Sequence, residues 1–300
     1  MKNYSTIDTT ATPGILTGIG HLDNLLSVDK GFQNAVIFLT GTSGAGKTTL
    51  SKVIQKSLKD TPTALYERET SSNSVAKQTR RVKIEHENAL ICDEKEYPHF
   101  NDFMAEVVKR GIKFIIIDSL QTAAVDFVRV EGMSEKESEM EVLRVLKQWK
   151  DSTGGTAILI GMVNKDGDFS GVNKIKHLAD CHLHLVFDEI KNTRFMYTTK
   201  NRDNSTSKLH YEFVDTDAVV EFYTEKEFEV KDKSFKFGDY LMKMVSDFLA
   251  SVDRKHPSFK SFKNEYFVRL DSISEDNKTE LEVTIELIKL IDELTNKYGL

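Results

Sequence analysis

The sequence predicts an α/β fold: a mainly parallel sheet flanked by helices, followed by a small helical appendage. Three observations predict it. Apolar runs of strand length alternate with helical stretches through most of the 300 residues. One such run, "AVIFLT" at 35–40, leads straight into the glycine-rich segment "GTSGAGKTT" (Gly41–Thr49) and then into a helix. After about Phe228 the strand-like runs stop, and helical stretches at 237–252, 257–269 and 277–298 follow the junction "EFEVKDK". We therefore expect a core over 1–230, with residues 1–14 a flexible lead-in, and a helical region over 231–300.

Taken in order, 35–40 is a buried strand closed by Gly41, and a helix from Lys47 to Leu58 is stopped by "DTP". "TALYE" (63–67) and "NALIC" (88–92) read as the next strands. Phe100, Phe103, Met104, Val107 and Val108 recur at helical spacing until Gly111. "KFIIID" (113–118) is the clearest buried strand, and a charged amphipathic helix spans Ser134 to Ser152. "TAILIG" (156–161), "CHLHLVF" (181–187) and "RFMYTTK" (194–200) follow, the close spacing of the last two predicting an antiparallel extension.

Composition bounds the function. Hydrophobic residues are 39% and charged residues 29%, the balance of a soluble globular chain. No apolar run approaches the roughly 20 residues of a membrane helix. The N-terminus lacks the apolar centre of a signal peptide. Cys92 and Cys181 form no CxxC pair, which argues against a zinc ribbon or disulfide framework and fits a reducing cytoplasm. The net charge of −6 gives no overall support for nucleic-acid binding, although a local basic patch suffices for it.

Gly41–Thr49 fits G-x-x-x-x-G-K-[ST] between a strand and a helix. Glycines at Gly41, Gly44 and Gly46 let the backbone N–H groups of Thr42, Ser43, Ala45 and their neighbours curl around phosphate oxygens. Lys47 would reach the β- and γ-phosphates of ATP, the Thr48 hydroxyl would bind Mg²⁺, and Thr49, the next residue, is counted with the nucleotide-binding set. Asp118, closing a buried strand, is the second metal-side oxygen. Orienting the attacking water needs a further carboxylate. Glu67 and Glu69 lie at i and i+2 and face the same way, so parity leaves both open.

Beyond the phosphate motif, several segments resemble bacterial DNA repair ATPases of the RadA/Sms type. "TGIGHLDNLL" (Thr17–Leu26) is similar to their segment before the P-loop, and "DSLQT" (Asp118–Thr122) to the end of their Walker B strand. "GMVNKDGDFSGVNKIKHLADCHLHLVF" (Gly161–Phe187) resembles their stretch from sensor strand through second DNA loop, with Lys165, Gly171, His177 and Asp180 at matching positions. "KNRDN" (Lys200–Asn204) resembles their Lys-Asn-Arg-Phe-Gly signature. The likeness covers residues 15–222. It implies a RecA-like core, a hexameric ring with ATP between subunits, and branch migration on single-stranded or branched DNA. Matching "LYERETS" with one gap puts Glu69 at the catalytic glutamate. Three departures stand out: no four-cysteine zinc module, no protease-like domain over 231–300, and Asp203 and Asn204 in place of Phe and Gly.

Within that resemblance Asn164 sits where a sensor feels the γ-phosphate. The stretch 164–176 offers Lys165, Lys174 and Lys176 for DNA phosphates and Phe169 for stacking, although Asp166 and Asp168 offset the charge. "DFVRVEGMSEKE" (Asp126–Glu137) is the candidate first DNA loop, with Arg129 its only strong DNA contact, and it is net acidic. His177, His182 and His184 are expected to be core or surface histidines rather than a metal set. Lys200 and Arg202 are expected to complete the neighbouring subunit's site as cationic fingers. Rival readings are a DnaB-like replicative helicase, a RecA-type recombinase, and a regulatory ATPase of the clock type with no DNA function.

Overall fold

Val36 and Phe38 face one side of the central strand, Ile37 and Leu39 the other, and both pairs are buried. That period-two division between two cores is what a strand covered on both faces requires. The computed structural model describes residues 14–68, 72–92, 97–162, 173–214, 219–231, 248, 256–274 and 280–299. Its strands are β1 (Val36–Gly41), β2 (Thr63–Glu67), β3 (Ala89–Ile91), β4 (Phe114–Asp118), β5 (Thr156–Ile160), β6 (Cys181–Asp188), β7 (Thr193–Asn201), β8 (Lys208–Val214) and β9 (Val219–Tyr223). They form a nine-stranded sheet in the order β3-β2-β4-β5-β1-β6-β7-β8-β9. Pairings from β3 across to β6 are parallel, and those from β6 to β9 antiparallel.

The helices are α1 (Gly20–Leu26), α2 (Lys47–Ser57), α3 (Ser72–Val82), α4 (Phe100–Lys109), α5 (Leu120–Glu131), α6 (Glu135–Thr153) and α7 (Asn173–Leu178). One core joins Leu22, Leu50 and Ile54 to Ile37, Leu39, Ile116 and Leu185. The other joins Phe100, Phe103, Phe127, Leu146 and Trp149 to Val36, Phe38, Ile115 and Leu159.

The stretch 126–137 is not a loop, which corrects the expectation above. α5 runs through it to Glu131, Gly132 ends that helix in the left-handed region (φ 69°), and Ser134 opens α6 with a capping box to Glu137. α1, α3, β8 and β9 also go beyond the expected elements.

The chain divides into two compact units, Met1–Glu225 and Lys226–Leu300. In the second unit, helices Phe259–Ser274 and Glu280–Tyr298 bury Phe262, Tyr266, Leu287, Leu290 and Leu294 between them. Arg269 grips Glu293 and Lys297 grips Glu265, each at 2.8 Å. The expected helix over 237–252 lies outside the described residues apart from 248. Among the described residues no helix is long and apolar enough to cross a membrane.

Candidate functional site

The glycine-rich loop leaves the C-terminal end of β1 and is braced from the antiparallel side of the sheet. Thr42 N donates to Leu185 O at 3.0 Å, and Phe187 N donates to Thr42 Oγ1 at 2.9 Å. The Tyr211 hydroxyl donates to Ala45 O at 2.6 Å. A Cβ at Gly41 would lie 2.4 Å from Leu185 O, and one at Gly46 2.4 Å from the Phe213 ring. Gly46 (φ 88°) also stands at the start of α2, which has no side-chain cap there. The first N–H groups of α2 therefore point into the loop as an anion-binding surface.

Lys47 Nζ folds over this loop, donating to Gly41 O at 2.9 Å and Thr42 O at 3.4 Å. The Thr48 hydroxyl donates to Asp118 Oδ2 at 2.7 Å, so the two oxygens expected at the metal position meet between the first turn of α2 and the end of β4. A hydroxyl and a carboxylate this close are a hard-oxygen set, which fits Mg²⁺ shared with phosphate oxygens. Ser43 and Gly44 are exposed at the mouth of the loop. Thr49 Oγ1 accepts from Arg81 of α3 at 3.5 Å.

Glu67 and Asp118 are register partners on β2 and β4. Their carboxylates have different company. Glu67 pairs with Lys52 at 2.9 Å, both side chains 2% exposed, and Lys52 also donates to Gln78. This buried pair ties Glu67 to α2. Glu69 lies outside the described residues, as do Asn164, Lys165 and Phe169.

Asp126, expected in a DNA loop, is an internal anchor. It accepts from Phe100 N at 2.7 Å, from the Tyr66 hydroxyl at 3.1 Å and from Arg68 at 3.5 Å. Burial and the Asp126 charge push the Tyr66 phenol well above its ordinary range. Arg68 also donates to Tyr97 O and lies 4.9 Å over the Tyr66 ring. These contacts fix the end of β2, next to the segment that carries Glu69. Arg129 is exposed on the last turn of α5, Lys174 is exposed on α7, and Lys176 is half-buried.

Lys200 and Arg202 stand at the other end of the sheet. Leu185 of β6 pairs with Gly41, whereas His182 pairs with Phe38 of β1 and with Lys200 of β7. At roughly 3.3 Å per residue, the row holding Lys200 is about 10 Å from the row holding Gly41. Lys200 donates to His177 O and Ala179 O at the end of α7, and burial, with Arg202 beside it, lowers its pKa. Arg202 donates to Asp180 Oδ1 at 2.7 Å, while Asp180 Oδ2 accepts from Val36 N at 2.9 Å and approaches Lys150 at 3.4 Å. Neither cation is directed at this chain's own phosphate loop.

Thr40 Oγ1 lies 2.9 Å from His182 Nε2 and 2.8 Å from His184 Nδ1, so these histidines are engaged with a hydroxyl. Among the described residues no cluster of His, Cys, Asp and Glu could hold a metal ion. The bracing side chains Phe187, Tyr211 and Phe213 had no signal in the sequence, since an aromatic on an outer strand does not announce a contact with a loop some 140–170 residues earlier.

Comparison with known proteins agrees with this architecture. The family described as "ATPase: KaiC" matches residues 15–227. The DNA repair protein RadA of Aquifex aeolicus (strain VF5) is 27% identical over 197 residues, which is 64% of this chain and 43% of that protein. The chain spans about half or less of the length of the curated RadA relatives it matches. A KaiC-like protein from Pyrococcus horikoshii OT3 superposes with a TM-score of 0.57 at 21% identity, covering 71% of this chain and all of that one. A second solved structure, of an ATPase domain, gives 0.56 at 15% identity, over 73% of this chain and 94% of that one.

Proposed function

The chain belongs to the KaiC ATPase family, with a RecA-like P-loop core, and on that footing we propose that it hydrolyses ATP to ADP and phosphate between the subunits of a ring, as a DNA motor of the RadA type. The observation that carries this reading is the division of cations: Lys47 on the phosphate loop, Lys200 and Arg202 at the opposite end of the sheet. Such an arrangement makes a site complete only when one subunit's far end meets the next subunit's loop.

Lys47 and the N–H groups of the loop hold the β- and γ-phosphates. Thr48 and Asp118 would hold Mg²⁺, which when bound neutralises charge developing on the phosphoryl oxygens, and their 2.7 Å hydrogen bond supports that role. Glu69 orients the attacking water and Asn164 reads the γ-phosphate. Lys200 and Arg202 of the adjacent subunit stabilise the transferring group. Lys165, Phe169, Lys174, Lys176 and Arg129 are the proposed DNA contacts, and the region after residue 230 is an accessory unit outside this chemistry.

The RadA names of the relatives support the DNA part of this reading. The net charge of −6 and the mixed-charge segments favour the second reading, a regulatory ATPase without DNA. ATPase measured at low salt with and without single-stranded DNA separates them. Binding with stimulated turnover supports the motor. Turnover that DNA leaves unchanged, with no binding, sinks it.

A further inference from the structure

Thr199 is the extra residue of a β-bulge. Cys181 and His182 face Asn201 and Lys200 across the β6–β7 ladder, but Leu183 faces Thr198, so Thr199 has no register partner there. Bulges re-aim the side chains around them. Here the Thr199 hydroxyl meets His182 Nδ1, while His182 Nε2 lies 2.9 Å from Thr40 Oγ1. Thr40 precedes Gly41, whose carbonyl accepts from Lys47 at 2.9 Å. Thr199 precedes Lys200. One imidazole therefore joins the strand that carries the phosphate loop to the strand end that carries the far-side cations.

The state of that ring decides what it can transmit. His182 is 1% exposed, and burial, with Lys176 and His184 adding to it, pushes its pKa down to about 3. The ring is neutral, with one N–H and one lone pair, and Thr40 has a single O–H to give. Two hydrogen-bond orders are self-consistent. In one, His184 Nδ1–H donates to Thr40, Thr40 donates to His182 Nε2, and His182 Nδ1–H donates to Thr199. In the other every donor reverses: Thr199 donates to His182 Nδ1, His182 Nε2–H donates to Thr40, and Thr40 donates to His184 Nδ1. The two orders differ in the tautomer of both rings, so the direction of one link is tied to the direction of the others.

We propose that His182 is a positioning residue that couples a subunit's own phosphate-loop strand to the Thr199–Lys200 end serving the neighbour's site. The coupling rests on the reading of Lys200 as a finger in trans. It makes a subunit's readiness to assist its neighbour depend on its own loop, so hydrolysis around the ring is ordered rather than independent.

The test uses the full chain as wild type, Thr199→Val, Thr199→Ser and Lys200→Ala. The measurements are kcat, the Hill coefficient for ATP, and the equilibrium affinity for a fluorescent ATP analogue. Valine keeps the shape of Thr199 and removes its hydroxyl, whereas serine keeps the hydroxyl. Thr199→Val loses about tenfold or more in kcat and lowers the Hill coefficient, with analogue affinity unchanged, and Thr199→Ser restores both. A merely structural role would not separate the two variants by their hydroxyl. Normal kcat and Hill coefficient in Thr199→Val, or equal impairment in Thr199→Ser, overturns the coupling. If Lys200→Ala turns over like wild type, the trans reading fails and the coupling falls with it. If Lys200→Ala is inactive while Thr199→Val is normal, the coupling alone is wrong.

Discussion

Lys200 is the register partner of His182 in the β6–β7 ladder, at the opposite end of the sheet from the Leu185–Gly41 pairing that carries the phosphate loop. A cation there cannot serve the loop of its own chain without leaving its strand. This separation sets what each substitution should do.

Thr48 and Asp118 share one short hydrogen bond, and both are proposed for the metal position. Asp118→Asn should reduce turnover at least about a hundredfold, since a neutral amide holds a divalent cation poorly. Chelating divalent cations in the wild type should have the same effect, and adding Mg²⁺ back should restore wild-type turnover while leaving the variant inactive. A metal-dependent ATPase assay reads both.

Glu67 and Glu69 should separate by phenotype. Glu67→Gln leaves Lys52 buried without its counter-charge and should cost about 3 kcal/mol or more of stability, seen as a lower denaturation midpoint. Glu69→Gln should leave the midpoint unchanged and stop hydrolysis with nucleotide binding retained. Loss of turnover without loss of stability in Glu67→Gln would reverse the two roles.

Gly46 combines φ 88° with a contact that a Cβ would make at 2.4 Å to Phe213. Gly46→Ala should therefore weaken ATP binding about fivefold or more, from roughly 1–3 kcal/mol of local strain. Pairing it with Phe213→Ala should recover part of that loss, because the steric share goes while the dihedral share stays. Calorimetric titration measures both.

His182 is buried in its neutral form, with its pKa moved down from 6.5 to about 3. In the unfolded chain the same group protonates near 6.5, so between these values the unfolded state binds more protons. Stability from this site is full above about pH 6.5 and is lost progressively as pH falls toward 3. His184 and His210 are lowered by burial as well and add to the same slope. His182→Gln should flatten the acid limb of the stability–pH curve, and an unchanged limb would show that the buried ring is not its source.

Much of this was legible before the fold was known. The strand–loop–helix around Lys47 and the buried run ending at Asp118 are local patterns, and each sits where its residues predict. The missed pieces are non-local or were misread. Gly132 and Ser134 are a helix stop and a helix start two residues apart, so a stretch that looked like a loop holds the end of α5 and the beginning of α6. The Lys52–Glu67 pair joins a helix to a strand 15 residues on, and neither residue announces its partner. β8 and β9 leave many of their side chains partly or fully exposed, which dilutes the apolar signal that marked the central strands.

The central claim is that Lys200 works on a neighbour's nucleotide. Mixing Lys47→Ala protein with Lys200→Ala protein tests it most directly, by steady-state ATPase of each alone and of the mixture. Lys47→Ala subunits keep the finger and lack the loop lysine, and Lys200→Ala subunits have the reverse. The account predicts that each is inactive alone and that the mixture regains activity, from sites built of one intact loop and the other subunit's intact finger. A Lys200→Ala protein that hydrolyses ATP normally, or a mixture as inactive as its components, would contradict it.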